Sequence, residues 1–168
     1  MIKLNCAEIA LMLDGALTGH NVSISNVSTD SRVIAEHDLF IALKGPNFDG
    51  SAFVAEVKEK GAAAVVVEQA VAVDIPQIIV QDTRLALGQL AAAVKARLAP
   101  KTIAVTGSAG KTTVKEMMAA ILSRRGNVLA TQGNFNNDIG VPLTMLRLTE
   151  QHQYAVLELG ANHQGEIA

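Results

Sequence analysis

The run Thr106-Gly107-Ser108-Ala109-Gly110-Lys111-Thr112-Thr113 constrains this chain most, because the apolar stretch 102–105 feeds straight into it and a helix-forming stretch leaves it. That order is strand, phosphate loop, helix, and it presupposes an α/β sheet. Glycines let the backbone turn so that several N–H groups face one anion, and a helix N-terminus adds positive potential. Lys111 then reaches the outer phosphates, and the Thr112 hydroxyl can hold Mg²⁺. The general phosphate-loop spacing puts a glycine five residues before the Gly-Lys pair. Val105 stands there, so the loop fits only a shorter Gly-x-x-Gly-Lys-Thr-Thr form.

Periodicity and punctuation predict alternating helices and strands around this motif. A helix over 7–14 has Asn5 as N-cap, Glu8 three residues on and Gly15 as its stop. Strands are expected over 22–27 and 38–43, a helix over 51–60 capped by Ser51 and ended by Gly61, and buried strands over 62–68 and 75–80. Composition shifts at Asp82-Thr83-Arg84, where Asp82 or Thr83 can cap an Ala/Leu helix over 85–98 that stops before Pro100. A domain boundary is therefore placed near Asp82, giving domains 1–82 and 83–168. In the second, strand 102–105, the loop and a helix to Arg125 precede strands over 127–130 and 154–159. This implies a parallel sheet whose ligands lie beyond the carboxyl ends of its strands. Three strands are few for such a sheet, and the last residues read as the start of another helix. The chain is thus expected to be the N-terminal piece of a longer protein.

At 168 residues and 49% hydrophobic composition there is enough apolar material for one ordinary domain or two small ones. A net charge of −2 without a basic cluster argues against a nucleic-acid binder. The single cysteine, Cys6, rules out an internal disulfide, no zinc-ligand spacing appears, and no apolar run reaches membrane-spanning length. The N-terminus lacks the apolar core of a signal peptide. These features point to a cytoplasmic compartment.

Three groups of residues can carry chemistry. Glu158 closes an apolar strand at the sheet edge that also holds the phosphate loop, where a carboxylate can bind Mg²⁺ beside Thr112; the alternative is a solvated strand-end acid. His163, five residues on, is placed to touch metal or phosphate, or to serve the loop's structure. The segment 132–142 is dense in side-chain amides that can complete a metal's shell, but alone it reads as a turn entering a helix near Pro142. In the first half, Thr29-Asp30-Ser31-Arg32 and Lys44-Gly45-Pro46-Asn47-Phe48-Asp49-Gly50 each follow a strand. Their cations, hydroxyls and tight acceptor turn suit a diphosphate with a polar base, or two surface turns.

Taken together these motifs resemble the Mur ligases, ATP-dependent amide-bond ligases of bacterial cell-wall precursors, and the resemblance spans the whole chain. The loop 106–113 looks like the family's ATP loop, shared with folylpolyglutamate synthetase. Asp30-Ser31-Arg32, Asp38-Leu39-Phe40-Ile41-Ala42-Leu43-Lys44-Gly45 and Asp49-Gly50 resemble the uridine-diphosphate domain of members adding the third and later residues. Gly133-Asn134-Phe135-Asn136-Asn137-Asp138-Ile139-Gly140-Val141-Pro142 and Glu158-Leu159-Gly160-Ala161-Asn162-His163 look like the branch that attaches D-alanyl-D-alanine.

The resemblance implies a small N-terminal α/β uridine-nucleotide-binding domain followed by the start of a P-loop ATPase domain with a parallel sheet. The implied uridine-substrate residues are Ser31, Arg32, Lys44, Gly45, Asn47, Asp49 and Gly50. ATP is assigned to Thr106, Gly107, Ser108, Ala109, Gly110, Lys111, Thr112, Thr113 and Asn137, Mg²⁺ to Thr112 and Glu158, and catalysis to Lys111, Glu158 and His163. UDP-N-acetylmuramoyl tripeptide and D-alanyl-D-alanine are the implied substrates, joined through an acyl phosphate by a monomer. The family's carbamylated lysine and dipeptide-binding domain fall beyond Ala168, so this chain alone is expected to be inactive. Three alternatives stand beside this reading: a third-residue Mur ligase, a folylpolyglutamate synthetase-like ligase, and a uridine-nucleotide-binding module.

Overall fold

The computed structural model describes residues 2–160. In chain order it contains β1 (Leu4–Asn5), α1 (Cys6–Met12), β2 (Ala16–Thr18), β3 (Ser23–Ile24), β4 (Asn26–Ser28), β5 (Asp38–Ile41), β6 (Lys44–Gly45), β7 (Phe48–Asp49), α2 (Val54–Glu59), β8 (Ala64–Val67) and β9 (Gln77–Ile79). It continues with α3 (Thr83–Leu98), β10 (Lys101–Val105), α4 (Lys111–Leu122), β11 (Asn127–Ala130), α5 (Gly140–Met145) and β12 (His152–Glu158). The chain divides into two compact units, Met1–Leu90 and Ala91–Ala168. α3 starts where Asp82 Oδ1 accepts the Leu85 N–H at 2.8 Å, and it runs across that division.

The first unit is built on a five-stranded sheet in the order β2-β9-β8-β5-β4, parallel except for the edge strand β2. Every residue of β5 and β8 is buried, as befits central parallel strands covered on both faces. Phe40, Val65 and Val67 of these strands pack with Val54 and Val57 of α2. α1 begins with the expected capping box: Asn5 Oδ1 accepts the Glu8 N–H at 2.9 Å and Glu8 Oε2 accepts the Asn5 N–H at 3.0 Å.

The structure corrects two local expectations in this unit, strand 22–27 and the Ser51 cap, and adds the strand β2. The stretch 22–27 is two strands, because the Ser25 N–H turns aside to the His37 carbonyl at 3.0 Å; β3 then pairs with β1 and β4 with β5. β2 has no apolar alternation to betray it and exists through its antiparallel ladder with β9. Before α2, the capping acceptor is Asp49, whose Oδ1 receives the Ser51 N–H at 2.9 Å and starts a 3₁₀ turn over Gly50–Phe53.

The second unit holds a three-stranded parallel sheet in the order β10-β12-β11. The last strand therefore lies between the two earlier ones. Its register sets Glu158 opposite Val105, so the acid and the mouth of the phosphate loop share one sheet edge, as expected. α4 stops three residues short of Arg125. The N–H groups of Arg124 and Arg125 bond three residues back, to Ile121 and Leu122, tightening the exit into a turn.

Candidate active site

β10 delivers the chain at Val105, and the loop reverses through Gly107 at φ +144° and Gly110 at φ +74°, both in the region that favours glycine. Gly110 is the N-cap of α4 and supplies no side-chain cap, so the first helical turn presents its N–H groups to whatever enters the loop. Lys111 lies along the loop with its Nζ donating to the Gly107 carbonyl at 2.8 Å. An anion in the loop would take over that donor.

Glu158 is the centre of the site. It is 3% exposed, and both carboxylate oxygens are held: the Thr112 hydroxyl donates to Oε2 at 2.9 Å and Asn136 Nδ2 donates to Oε1 at 3.0 Å. Burial alone would raise its pKa. The hydrogen bonds from Asn136 and Thr112, then the charges of Lys115 and Lys111, outweigh burial and leave it below the ordinary glutamate value. Glu158 is therefore a carboxylate at neutral pH. A hard anionic oxygen in contact with a threonine hydroxyl, beside a loop shaped for phosphate, is the donor set that suits Mg²⁺, and these residues fit that ion.

Behind the carboxylate, Thr131 Oγ1 accepts the Glu158 N–H at 3.0 Å, and the Thr131 carbonyl accepts Lys115 Nζ at 2.7 Å. The amide-rich segment is pinned against this strand end. The Gly160 N–H donates to the Asn136 carbonyl at 2.6 Å, and a Cβ on Gly140 would lie 2.5 Å from the Phe135 Cα. Of the two asparagines, Asn136 reaches Glu158, whereas Asn137 Oδ1 accepts the Gly140 N–H at 2.7 Å and closes a local turn. Asn136, Lys115 and Thr131 escaped the sequence reading as individual residues; the density of amides around position 136 was the sole signal. His163 lies outside the described residues.

In the first unit, Ser31 and Arg32 line a cavity of about 410 Å³ together with Phe40, Phe48, Phe53 and Glu56. The Phe48 and Phe53 rings stack with centroids 5.9 Å apart at 21°. The space is walled by these aromatic rings and edged by Asp30, Arg32 and Glu56. Arg32 is paired with Asp30 through Nε and Nη2 at 2.8 and 2.7 Å, and that pairing pulls the Asp30 carboxyl down to about 2. Lys44 and Asp49 line a separate cavity of about 110 Å³ with Ser51 and Glu68, where Lys44 Nζ lies 3.7 Å from Glu68 Oε2. Hydrogen bonds from Ser51 hold the Asp49 carboxyl below its usual range. Gly45 and Asn47 belong to the hairpin that β6 and β7 form. Gly50 is buried, and a Cβ there would meet the Ala42 backbone at 2.9 Å, so packing alone demands glycine. The expected uridine residues are thus divided between two cavities and a hairpin; of the two stacked phenylalanines, Phe48 falls in the expected loop 44–50 and Phe53 in the expected helix 51–60, and neither is singled out by the sequence.

The family description "Mur ligase family, catalytic domain" matches residues 23–95, and "Mur ligase middle domain" matches residues 105–168. The chain is 52% identical over 168 residues to the UDP-N-acetylmuramoyl-tripeptide–D-alanyl-D-alanine ligase of Escherichia coli, covering all of this chain and 37% of the relative. It superimposes at a TM-score of 0.94 and 46% identity on a solved UDP-N-acetylmuramoylalanyl-D-glutamyl-2,6-diaminopimelate–D-alanyl-D-alanyl ligase from Acinetobacter baumannii, covering 99% of this chain and 38% of that one. A MurF ligase from Thermotoga maritima in complex with ADP matches at a TM-score of 0.76 and 34% identity, over 84% of this chain and 33% of that one. The chain spans a little over a third of the length of the relatives it matches.

Proposed function

The chain belongs to the Mur ligase family, and from that premise we propose that it is part of an ATP-dependent ligase that joins D-alanyl-D-alanine to UDP-N-acetylmuramoyl tripeptide. The observation that carries the proposal is the contact of Thr112 and Asn136 with the Glu158 carboxylate at the mouth of a glycine loop.

In this reading the second unit handles ATP. The N–H groups of residues 107–113 cradle the phosphates, and Lys111 swings from the Gly107 carbonyl to the outer phosphates as charge moves onto the leaving oxygen. Thr112 and Glu158 would hold Mg²⁺, which would supply charge neutralisation at the phosphoryl group. Asn136 keeps the carboxylate oriented while it does so. Transfer of the γ-phosphoryl group from ATP to the tripeptide carboxylate releases ADP and yields an acyl phosphate; the dipeptide amine attacks it, gives up a proton, forms the amide and expels inorganic phosphate. A free carboxylate is a poor acyl donor, and activation supplies the leaving group it lacks. His163 is proposed as a further phosphate or metal contact.

The first unit holds the uridine nucleotide, with the base against Phe48 and Phe53 and polar contacts from Ser31 and Arg32. Lys44, Gly45, Asn47, Asp49 and Gly50 are proposed to frame the remainder of that ligand, Gly50 by shaping the loop. The functional boundary is proposed near Asp82. The protein is proposed to work as a monomer in the cytoplasm; no described helix is long and apolar enough to cross a membrane.

Titrating the 168-residue chain separately with UDP and with ATP and Mg²⁺, while following its amide signals, tests the assignment. UDP is expected to shift residues 29–32 and 44–53, and ATP residues 106–113, 136 and 158. UDP shifts confined to the second unit would sink the division of labour.

A further inference from the structure

On α4 the usual arrangement is inverted. Val114, Met117 and Ile121 are 40%, 60% and 63% exposed, while Lys115 in the same helix is 1% exposed. Burying an ammonium group is costly unless acceptors are built around it. Lys115 has two, the Thr131 carbonyl at 2.7 Å and Glu116 Oε1 at 2.6 Å. The second is a surface group, 66% exposed, so the first is what draws the side chain inward.

Thr131 is a junction. It follows the last residue of β11, its N–H donates to the Val156 carbonyl at 3.0 Å, and its hydroxyl accepts the Glu158 N–H at 3.0 Å. Lys115, four residues after Lys111 and three after Thr112, therefore ties the helix bearing the phosphate residues to the strand end bearing the carboxylate. Three elements meet at this one residue, and two of them, α4 and β12, carry Lys111, Thr112 and Glu158.

We propose that Lys115 is a positioning residue of the phosphate site: by holding Thr131 it fixes the main chain of Glu158, and with it the place of a divalent cation bound between Glu158 and Thr112. The inference rests on the reading of the second unit as an ATP and Mg²⁺ site.

The test measures ATP affinity of the 168-residue chain with Mg²⁺ and with chelator, for wild type, Lys115→Met and Thr131→Val. Groups that orient a metal ligand typically contribute 10- to 100-fold in metal affinity, so Lys115→Met is expected to lose about that much of the Mg²⁺-dependent gain while metal-free affinity changes less than about threefold. Thr131→Val keeps the Lys115 bond but removes the acceptor of the Glu158 N–H, and the same selective loss is expected. Lys115→Arg, which keeps a buried donor, is expected to recover part of it. Equal losses with and without Mg²⁺, or an unchanged Mg²⁺ gain in the folded Thr131→Val chain, would overturn the inference. A wild-type chain that binds no ATP would fail the site reading instead. The inference is then decided without nucleotide, by hydrogen exchange: in Lys115→Met the Glu158 amide must exchange at least about tenfold faster relative to that of Ala155, and an unchanged ratio refutes it.

Discussion

Replacing Gly140 by alanine adds one methyl group where the chain is already closed on itself. The new Cβ would stand 2.5 and 2.6 Å from the Cα and carbonyl carbon of Phe135 and 2.9 Å from its Cβ. Two of these three neighbours are main-chain atoms, so the clash cannot be relieved by a rotamer change. Overpacking of this kind costs about 1–3 kcal/mol, and the upper half of that range applies because the backbone must move. Alanine at the start of α5 returns up to about 1 kcal/mol of helix propensity, leaving a net loss of about 1–2 kcal/mol. For a unit of this size that lowers Tm by about 5–15 °C. The chain has one tyrosine and no tryptophan, and Tyr154 lies in β12, so tyrosine fluorescence reads the second unit alone. The displaced loop also carries Asn136 off Glu158, so ATP affinity should fall with stability. The opposite sign is expected at Gly88 in mid-α3, where an added Cβ meets nothing within 4 Å and alanine stabilises by about 0.5–1 kcal/mol. A Gly140→Ala unit as stable as wild type would refute the claim that close approach, not chance, keeps this position bare.

Three further outcomes follow. Glu158 has its pKa lowered in the folded chain, so its contribution to stability is present above the ordinary glutamate value and is lost as pH falls through the lower folded value; Glu158→Gln should flatten this acid limb of the Tyr154 unfolding transition, and an unchanged limb would contradict the assignment. Phe48→Ala removes one ring of the stacked pair, and at about 0.5–1.5 kcal/mol should weaken UDP binding roughly 2- to 12-fold by titration; equal affinity would place the base elsewhere. The 168-residue chain with ATP, Mg²⁺ and both substrates should release no phosphate beyond background, since it spans 37% of the length of the Escherichia coli relative; substrate-dependent release would show that this portion suffices for turnover.

What was legible in the sequence was what short segments encode by themselves. Asn5 with Glu8 spells a capping box, the Val-rich run at 64–67 spells a buried parallel strand, and an apolar strand entering Gly-Ser-Ala-Gly-Lys spells the phosphate loop. Glu158 could be matched to Val105 because parallel strands end at one edge. The rest depends on partners far along the chain. β2 exists through β9, some sixty residues away, and nothing in Ala-Leu-Thr announces it. Asn136 and Asn137 are the same residue type in the same loop, and which one reaches Glu158 is decided by the turn that Asn137 closes on Gly140. A lysine in a helix is ordinarily a surface residue, so Lys115 gave no hint of its acceptor on Thr131.

The loop 106–113, with Glu158 opposite, is proposed to bind the phosphates of ATP together with Mg²⁺. Isothermal titration of ATP and Mg²⁺ into the 168-residue chain, wild type against Lys111→Ala, decides this. Removing a charged donor of this kind costs about 1.5–3 kcal/mol, so the variant should bind about 10- to 150-fold more weakly, with UDP affinity unchanged. Equal ATP affinity in the two proteins, or a parallel loss of UDP binding, would show that Lys111 does not meet the phosphates.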